Sequence, residues 1–268
     1  PIIAVKCATH HPARYFLLNN RGAIAPGFLA DFVIIDNFED FNVLEVYKKG
    51  KLMFDGKAVT EFDAPEIDPH LARRAHETFH VAPLTADSFA ESRPRGVLGM
   101  IPGEIVTTDA GYASEISVKD DILKIAVIER HKNTNHIGVG YIKGYGLKSG
   151  AVATSISHDS HNIIVVGANE EDMAAAANRV VELGGGIVVM DGGEILGEVQ
   201  LQIAGIMSEA PLIDVNRDLE NAKEQAFALG VSRGVDPFMT LSFMALTVIP
   251  TLRMTTRGVF DVNQQKYI

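Results

Sequence analysis

The stretch Ser155-Ile-Ser-His-Asp-Ser-His-Asn162 gathers two histidines, an aspartate, three serines and an asparagine directly ahead of the apolar run Ile163-Ile-Val-Val166. Residue types of this kind can do several things. His158 and His161 could ligate a metal, since imidazole is the commonest protein ligand for zinc and related ions. Two ligands do not make a site, and the nearby side chains able to supply a third are His131, His136 and Asp109. Ser157 or Ser160 beside His158 and Asp159 could form a nucleophile with its base. Neighbouring side chains on an extended segment point to opposite faces, however, which works against a nucleophile-base-orienter line. The stretch could also be a polar corner at the start of a buried strand, with Asp159 and the serines satisfying backbone donors. Or it could be a loop that presents Ser157, His158, Asp159, Ser160, His161 and Asn162 to a substrate. On spacing alone, metal ligation, a structural corner and a substrate-contacting loop stay open.

Other clusters carry less. The run Gly138-Val-Gly-Tyr-Ile-Lys-Gly-Tyr-Gly-Leu-Lys-Ser-Gly150 has the glycines of a phosphate cradle but not its spacing. A Walker loop needs glycine where Leu147 stands, and the dinucleotide fingerprint needs one at Lys143. Turns with positive φ, or close backbone approach, explain these glycines. His10-His11 has no partner four residues on, and Pro12 disturbs the helix there, so packing is its expected role. Glu129, Asp109 and Asp191 lie near expected strand ends, and spacing singles out none of them.

The elements that would position these groups follow from patterning. The chain has 268 residues, 47% hydrophobic and 22% charged, enough for one large domain or two unequal ones. No apolar run approaches the roughly 18 residues of a membrane span, and no signal peptide is expected. A net charge of -10 argues against nucleic acid and anionic membranes as partners. Cys7 is the only cysteine, which excludes an internal disulfide and Cys-based zinc sites and suits a reducing, cytoplasmic setting.

Residues 2–18 read as two short helices meeting near His11. The chain opens at Pro1, with no Met, inside this apolar segment, which leads us to expect a piece of a longer polypeptide. A turn at 22–27, a strand at Val33-Ile34-Ile35 and a hairpin of 43–47 with 51–54 make a small β unit. Residues 64–94, with an expected helix at His70 to Phe79, read as a linker. Strands are expected at Glu104 to Thr108, Ile122 to Glu129 and Asn162 to Val166, with a hairpin from Ile187 to Gln200 around Asp191-Gly-Gly193. Asn169 caps an Ala-rich helix that starts with Glu170-Glu-Asp172 and ends at Gly184-Gly-Gly186. A second helix is expected from Asp218 to Leu229, and Pro237 to Pro250 has helical apolar spacing.

Two features carry a resemblance. Cys7-Ala-Thr-His-His-Pro-Ala-Arg14, followed by Gly22-Ala-Ile-Ala-Pro-Gly-Phe-Leu-Ala-Asp-Phe-Val-Ile-Ile-Asp36, resembles the place in the amidohydrolase superfamily where a metal-bearing (β/α)8 barrel gives way to a small β domain. Val127-Ile-Glu-Arg130, the segment from Gly144 through Ser155-Ile-Ser-His-Asp-Ser-His-Asn162 to Gly167, Gly184-Gly-Gly186, Ile203-Ala-Gly-Ile-Met-Ser208 and Val248-Ile-Pro250 resemble the C-terminal part of the bacterial adenine deaminase family. The resemblance implies an α+β chain with four parts. Residues 1–18 would end the barrel, 19–62 would belong to the small β domain, 63–95 would link, and 96–268 would form the mixed α/β C-terminal domain. It also implies a complete enzyme that converts adenine and water to hypoxanthine and ammonia in purine salvage, as a homo-oligomer, with a manganese or iron pair activating the water. Those metal ligands would lie in the barrel segment missing from this sequence, which has no His-x-His pair. Hence this chain alone is expected to hold no metal pair and to be inactive. The implied use for 157–162 is to face the substrate mouth of the barrel. A catalytically silent oligomerisation or regulatory module, and part of an amidohydrolase acting on another base or cyclic amide, are the competing readings.

Overall fold

The computed structural model describes residues 1–61 and 65–268. Phe62 to Ala64 lie outside the described residues, and with them the expected boundary between small β domain and linker. The chain divides into two units, Pro1–Glu66 and Ile67–Ile268.

In the first unit, α1 (Ile2–Ala8) and α2 (His10–Tyr15) meet at Thr9 rather than near His11. Pro12 falls in the first turn of α2, where a missing N–H costs no helical hydrogen bond. Three antiparallel strands follow, β1 (Phe32–Ile35), β2 (Val43–Lys48) and β3 (Lys51–Phe54), in that spatial order. Phe32 stacks on its cross-strand neighbour Tyr47 at 4.6 Å. Asp31 holds the β2–β3 turn by accepting from Lys48 Nζ at 2.6 Å and Lys49 N at 2.7 Å. This unit has the expected strands but little interior. Ala13 is the only buried residue among those described in it, while Ile3, Tyr15 and Ile24 are 77%, 80% and 90% exposed.

The second unit begins with α3 (Pro69–His76), capped by Asp68, whose carboxylate accepts from His70 N at 2.8 Å. It stops three residues short of the expected end, because Glu77 leaves helical geometry at φ -84°, ψ 62°. The stretch expected to be a linker is built into this unit, with Leu84 and Phe89 both in its core. The strands are β4 (Arg95–Met100), β5 (Thr107–Ala113), β6 (Ile122–Ile128), β7 (Ile137–Lys143), β8 (Ala151–Thr154) and β9 (Ile163–Gly167). After α4 (Glu170–Glu182) come β10 (Gly186–Asp191) and β11 (Glu194–Gln200), then α5 (Leu212–Ala228) and α6 (Met239–Met244). A small sheet of β12 (Leu252–Thr255), β13 (Gly258–Asp261) and β14 (Lys266–Tyr267) ends the chain.

The large sheet has the order β11-β10-β8-β9-β6-β7-β4-β5 and is antiparallel except for the β4–β7 pair. The whole is a mixed α/β arrangement, compatible with the α+β class. Period-two alternation explains how both faces are covered. Leu123, Ile125, Val127, Ile164 and Val166 face the cluster that includes Ala222 and Ala226 of α5 and Leu252 and Met254 of β12. Ala126, Ala151, Ala153, Ile163 and Val165 face α4, which meets them with Met173, Ala176, Ala177 and Val180. Small side chains on both sides of that second layer let helix and sheet approach closely.

Several expectations shift. Pro102-Gly103 forms a turn closed by Glu104 N on Ile101 O at 3.0 Å, so the strand expected at 104–108 starts only at Thr107 and runs to Ala113. Helix α5 begins at Leu212, behind Pro211, rather than at Asp218. Only 239–244 of the Pro237–Pro250 segment are helical. The glycine run contains most of β7: a Cβ on Gly138 would lie 1.9 Å from Thr255 O, and one on Gly140 would lie 2.6 Å from Val259 Cγ2. Close approach of the β12–β13 hairpin thus explains those two glycines.

Candidate functional site

Residues 155–162 connect β8 to its antiparallel neighbour β9. They are not extended, as the sequence argument assumed: 158–160 form a turn, and His161 N donates to Ser157 O at 2.6 Å. The base of the turn is fixed from below. Ser155 is fully buried, accepts from Gly186 N at 2.8 Å and donates to Gly205 O at 2.6 Å. Asn162 is 8% exposed, and its Oδ1 accepts from Arg130 N at 3.3 Å while its amide donates to Ser160 Oγ at 3.1 Å. Ser157 is fully buried and its hydroxyl has no partner among the described residues. Of the six residues singled out, Ser157 and Asn162 therefore point inward, Asp159 and Ser160 are exposed, and His158 and His161 are half-buried at the rim.

The two imidazoles meet edge to face at 5.6 Å, and His158 also packs on Phe243 at 5.1 Å. Helix α6 holds this side, since His158 N donates to Ser242 O at 2.9 Å. His161 has a left-handed backbone, φ 49°, and its Nδ1 accepts from Ser157 N at 3.4 Å. That bond requires the tautomer with the proton on Nε2. Burial lowers the His161 pKa below the usual histidine value, His158 and Arg130 add to the shift, and Asp159 opposes it. The ring is therefore neutral near pH 7, with a donor N–H at Nε2. His131 braces the outer side by donating from Nε2 to Ser160 O at 2.7 Å.

No group of three or more His, Cys, Asp or Glu side chains that could hold a metal forms among the described residues. Nδ1 of His161 and Nε2 of His131 are both engaged. Asp109 lies on β5, four strands from β9, roughly 19 Å at ordinary strand spacing. Neither Ser157 nor Ser160 donates a hydroxyl to an imidazole among the described residues, so no nucleophile-base pair forms there. Glu129 instead organises the loop before β7: burial raises its carboxyl, but N–H groups of His131, Thr134 and Lys132 outweigh this and hold it below the usual range. Asp191 accepts from Ser149 Oγ at 3.1 Å, a turn contact.

Sequence reasoning missed two parts of the site. One is Arg130, present in the Val127-Ile-Glu-Arg130 motif but overlooked beside Glu129; it is 2% exposed and donates from Nε to His161 O at 2.5 Å. The other is a cleft of about 310 Å³ beside the turn, lined by Asp159, Ser160 and Asn162 together with Leu246, Thr247, Val248, Thr255 and Thr256. Its second wall combines irregular chain after α6 with the end of β12, which helical periodicity could not find. A mixed apolar and hydroxyl lining with a carboxylate, an amide and adjacent imidazoles suits a small, flat, neutral molecule with both donors and acceptors.

Comparison with known proteins places the chain in a family. Residues 104–266 match the adenine deaminase C-terminal domain, and residues 1–53 match the amidohydrolase family. An adenine deaminase of Nitratidesulfovibrio vulgaris (strain DP4) is 41% identical over 274 residues, covering 98% of this chain and 47% of the relative. An adenine deaminase of Methanothrix thermoacetophila is 41% identical over 275 residues, with the same two shares. One of Bacillus subtilis (strain 168) is 40% identical over 279 residues, covering 100% of this chain and 48% of the relative. The chain spans about half the length of the curated relatives it matches.

Proposed function

This chain belongs to the adenine deaminase C-terminal domain family, and from that premise we propose that it is the C-terminal portion of an enzyme that hydrolyses adenine to hypoxanthine and ammonia, serving purine salvage in the cytoplasm. The observation that carries the reading is identity of about 40% with curated adenine deaminases along nearly the whole chain. Residues 1–18 then end a (β/α)8 barrel and 19–62 belong to its small β domain. The preceding barrel half is the partner of this segment. Supporting this is the apolar surface of residues 1–61, where Ile3, Tyr15 and Ile24 stand exposed although burying one such side chain is worth about 1.5–3 kcal/mol.

The manganese or iron pair belongs to that barrel half. The donors present here do not fit one, because His158 and His161 find no third ligand among the described residues. No catalytic step is assigned to this chain. Its part is recognition: the turn at 158–161 and the adjoining cleft face adenine at the barrel mouth, in the same subunit or a neighbouring one of a homo-oligomer. Adenine offers ring nitrogens as acceptors and an exocyclic amine as donor. Nε2–H of His161 can meet the former and the Asp159 carboxylate the latter. The buried Ser157 acts only by shaping the turn, whereas Asn162 both braces the turn and lines the cleft.

Kinetics of the full-length enzyme test this. His158→Ala, and His161→Asn, which keeps a residue tolerant of positive φ, should each raise KM for adenine roughly tenfold. Both variants should stay folded, with the circular dichroism and metal content of the unsubstituted enzyme. Unchanged kinetics in both variants would reduce the turn to a structural corner. The present chain with added manganese should not turn over adenine, and a rate matching the full-length enzyme would refute the division of roles.

A further inference from the structure

Arg130 lies two residues beyond β6 and is 2% exposed. Its guanidinium reaches three separate segments. Nε donates to His161 O at 2.5 Å, Nη1 to Thr78 O at 3.0 Å and Thr78 Oγ1 at 3.2 Å, and Nη2 to Ala204 O at 2.8 Å. The ring of Phe79 lies beneath it at 4.2 Å. Every acceptor it meets among the described residues is a carbonyl or hydroxyl oxygen. Burial pulls its pKa down to about 10, with Glu129 opposing the shift, so it stays charged near neutral pH. A buried cation hydrogen-bonded to no carboxylate is costly. Its position shows what offsets that cost.

Two of the carbonyls it holds belong to residues in left-handed backbone, His161 at φ 49° and Ala204 at φ 56°. Neither is glycine, and such residues persist only where the surroundings fix them. Ala204 opens the tight turn in Ile203-Ala-Gly-Ile-Met-Ser208, where Gly205 leaves room for the guanidinium: a Cβ there would lie 2.9 Å from Arg130 Nη2. Ser155 ties the same turn to the base of the 157–162 loop through Gly205 O. One planar fork thus joins both turns to the chain after α3. Lysine could not do this, since its donors radiate from a single nitrogen.

We propose that Arg130 is a positioning residue for adenine recognition: by fixing the carbonyls of His161 and Ala204 it sets the orientation in which the imidazole pair meets the purine. This rests on the reading that the 158–161 turn faces adenine. It acts on binding, so KM should respond and kcat should not.

Steady-state kinetics of the full-length enzyme decide it, using Arg130→Lys, His161→Asn and the double variant, with His158→Ala as a control. Arg130→Lys should raise KM roughly tenfold and leave kcat within about threefold. In the His161→Asn background the same substitution should add less than about twofold, because the group it positions is gone. A fall in kcat with KM unchanged, or an equal effect in both backgrounds, would assign Arg130 to the fold alone and overturn the proposal. Should Arg130→Lys fail to fold, Phe79→Leu leaves Arg130 in place but removes the ring against which its guanidinium plane is set, which loosens the hydrogen bonds of the fork. It should raise KM in the same direction, and an unchanged KM overturns the proposal. If His158→Ala and His161→Asn raise KM while Arg130→Lys does not, only the positioning role fails. If neither histidine variant changes KM, the adenine-facing reading fails and takes the positioning role with it.

Discussion

At the scale of single residues, His161 makes a prediction that needs no substrate. Its folded pKa lies below the unfolded value near 6.5, so the native state favours the neutral ring. The stability it contributes is fully present above pH 6.5 and is lost as pH falls through the lower folded value. Urea denaturation at pH 8 and pH 5.5 should therefore show a loss on acidification that is smaller in His161→Asn. Equal losses in both would mean that the ring is not held neutral. Ser157 makes the opposite kind of prediction. Its buried hydroxyl has no partner among the described residues, so Ser157→Ala should leave stability unchanged or raise it by up to about 1 kcal/mol in a thermal melt. It should leave adenine turnover intact in the full-length enzyme, whereas a nucleophile would lose it. The residue types of the site were legible in the sequence, but not their directions. Alternation along an extended segment put neighbours on opposite faces, while the turn at 158–160 sends Ser157 and Asn162 inward and the residues between them outward. Arg130 escaped notice because an arginine after an apolar strand ordinarily reaches solvent, and only the convergence of residues 78, 161 and 204 shows that this one does not.

At the scale of elements, α4 was readable because each local signal agrees: Asn169 caps Asp172 N at 2.7 Å, acids fill the first turn, alanines face the sheet and glycines stop it. Asn169→Ala should cost about 1 kcal/mol in urea denaturation. Strands β6, β9, β10 and β11 were readable for a similar reason, as β-branched runs bounded by turn residues. Strands β4 and β7 were not. Arg95-Gly-Val-Leu-Gly-Met100 and Ile137-Gly-Val-Gly-Tyr141 carry glycines that read locally as loops, and the contacts that make them strands come from distant chain. For β7 that chain is the β12–β13 hairpin, which fills the space a side chain would need. Gly140→Val should destabilise the protein by about 3 kcal/mol or more, through overpacking against Val259 and Met254. A smaller cost would mean that the hairpin can shift away.

At the scale of the whole molecule, the two units differ in how far they satisfy themselves. Residues 67–268 bury two large apolar clusters, whereas residues 1–61 bury one alanine among those described. Removing residues 1–66 should lower the fluorescence of a bound apolar dye while keeping the far-ultraviolet circular dichroism of the sheet. A dye signal that persists would place the open apolar surface in the second unit instead. The apolar character of residues 2–18 was visible in sequence, but the single division after Glu66 was not, because residues 63–95 read as a linker between separate parts. Composition and patterning could not show that the supposed linker is core, since Leu84 and Phe89 are isolated apolar residues in a polar stretch. The sheet itself bears on the order in which the chain assembles. Its hairpins β6–β7, β8–β9 and β10–β11 join near neighbours, but the one parallel ladder pairs Val97 with Tyr141, across more than forty residues. Closing so long a segment carries an entropic cost that hairpins avoid. Pulse-labelled hydrogen exchange should find the amides of β4 and β5 protected after those of β8 and β9, so that the edge strand is the last part of the sheet to be sheltered during refolding.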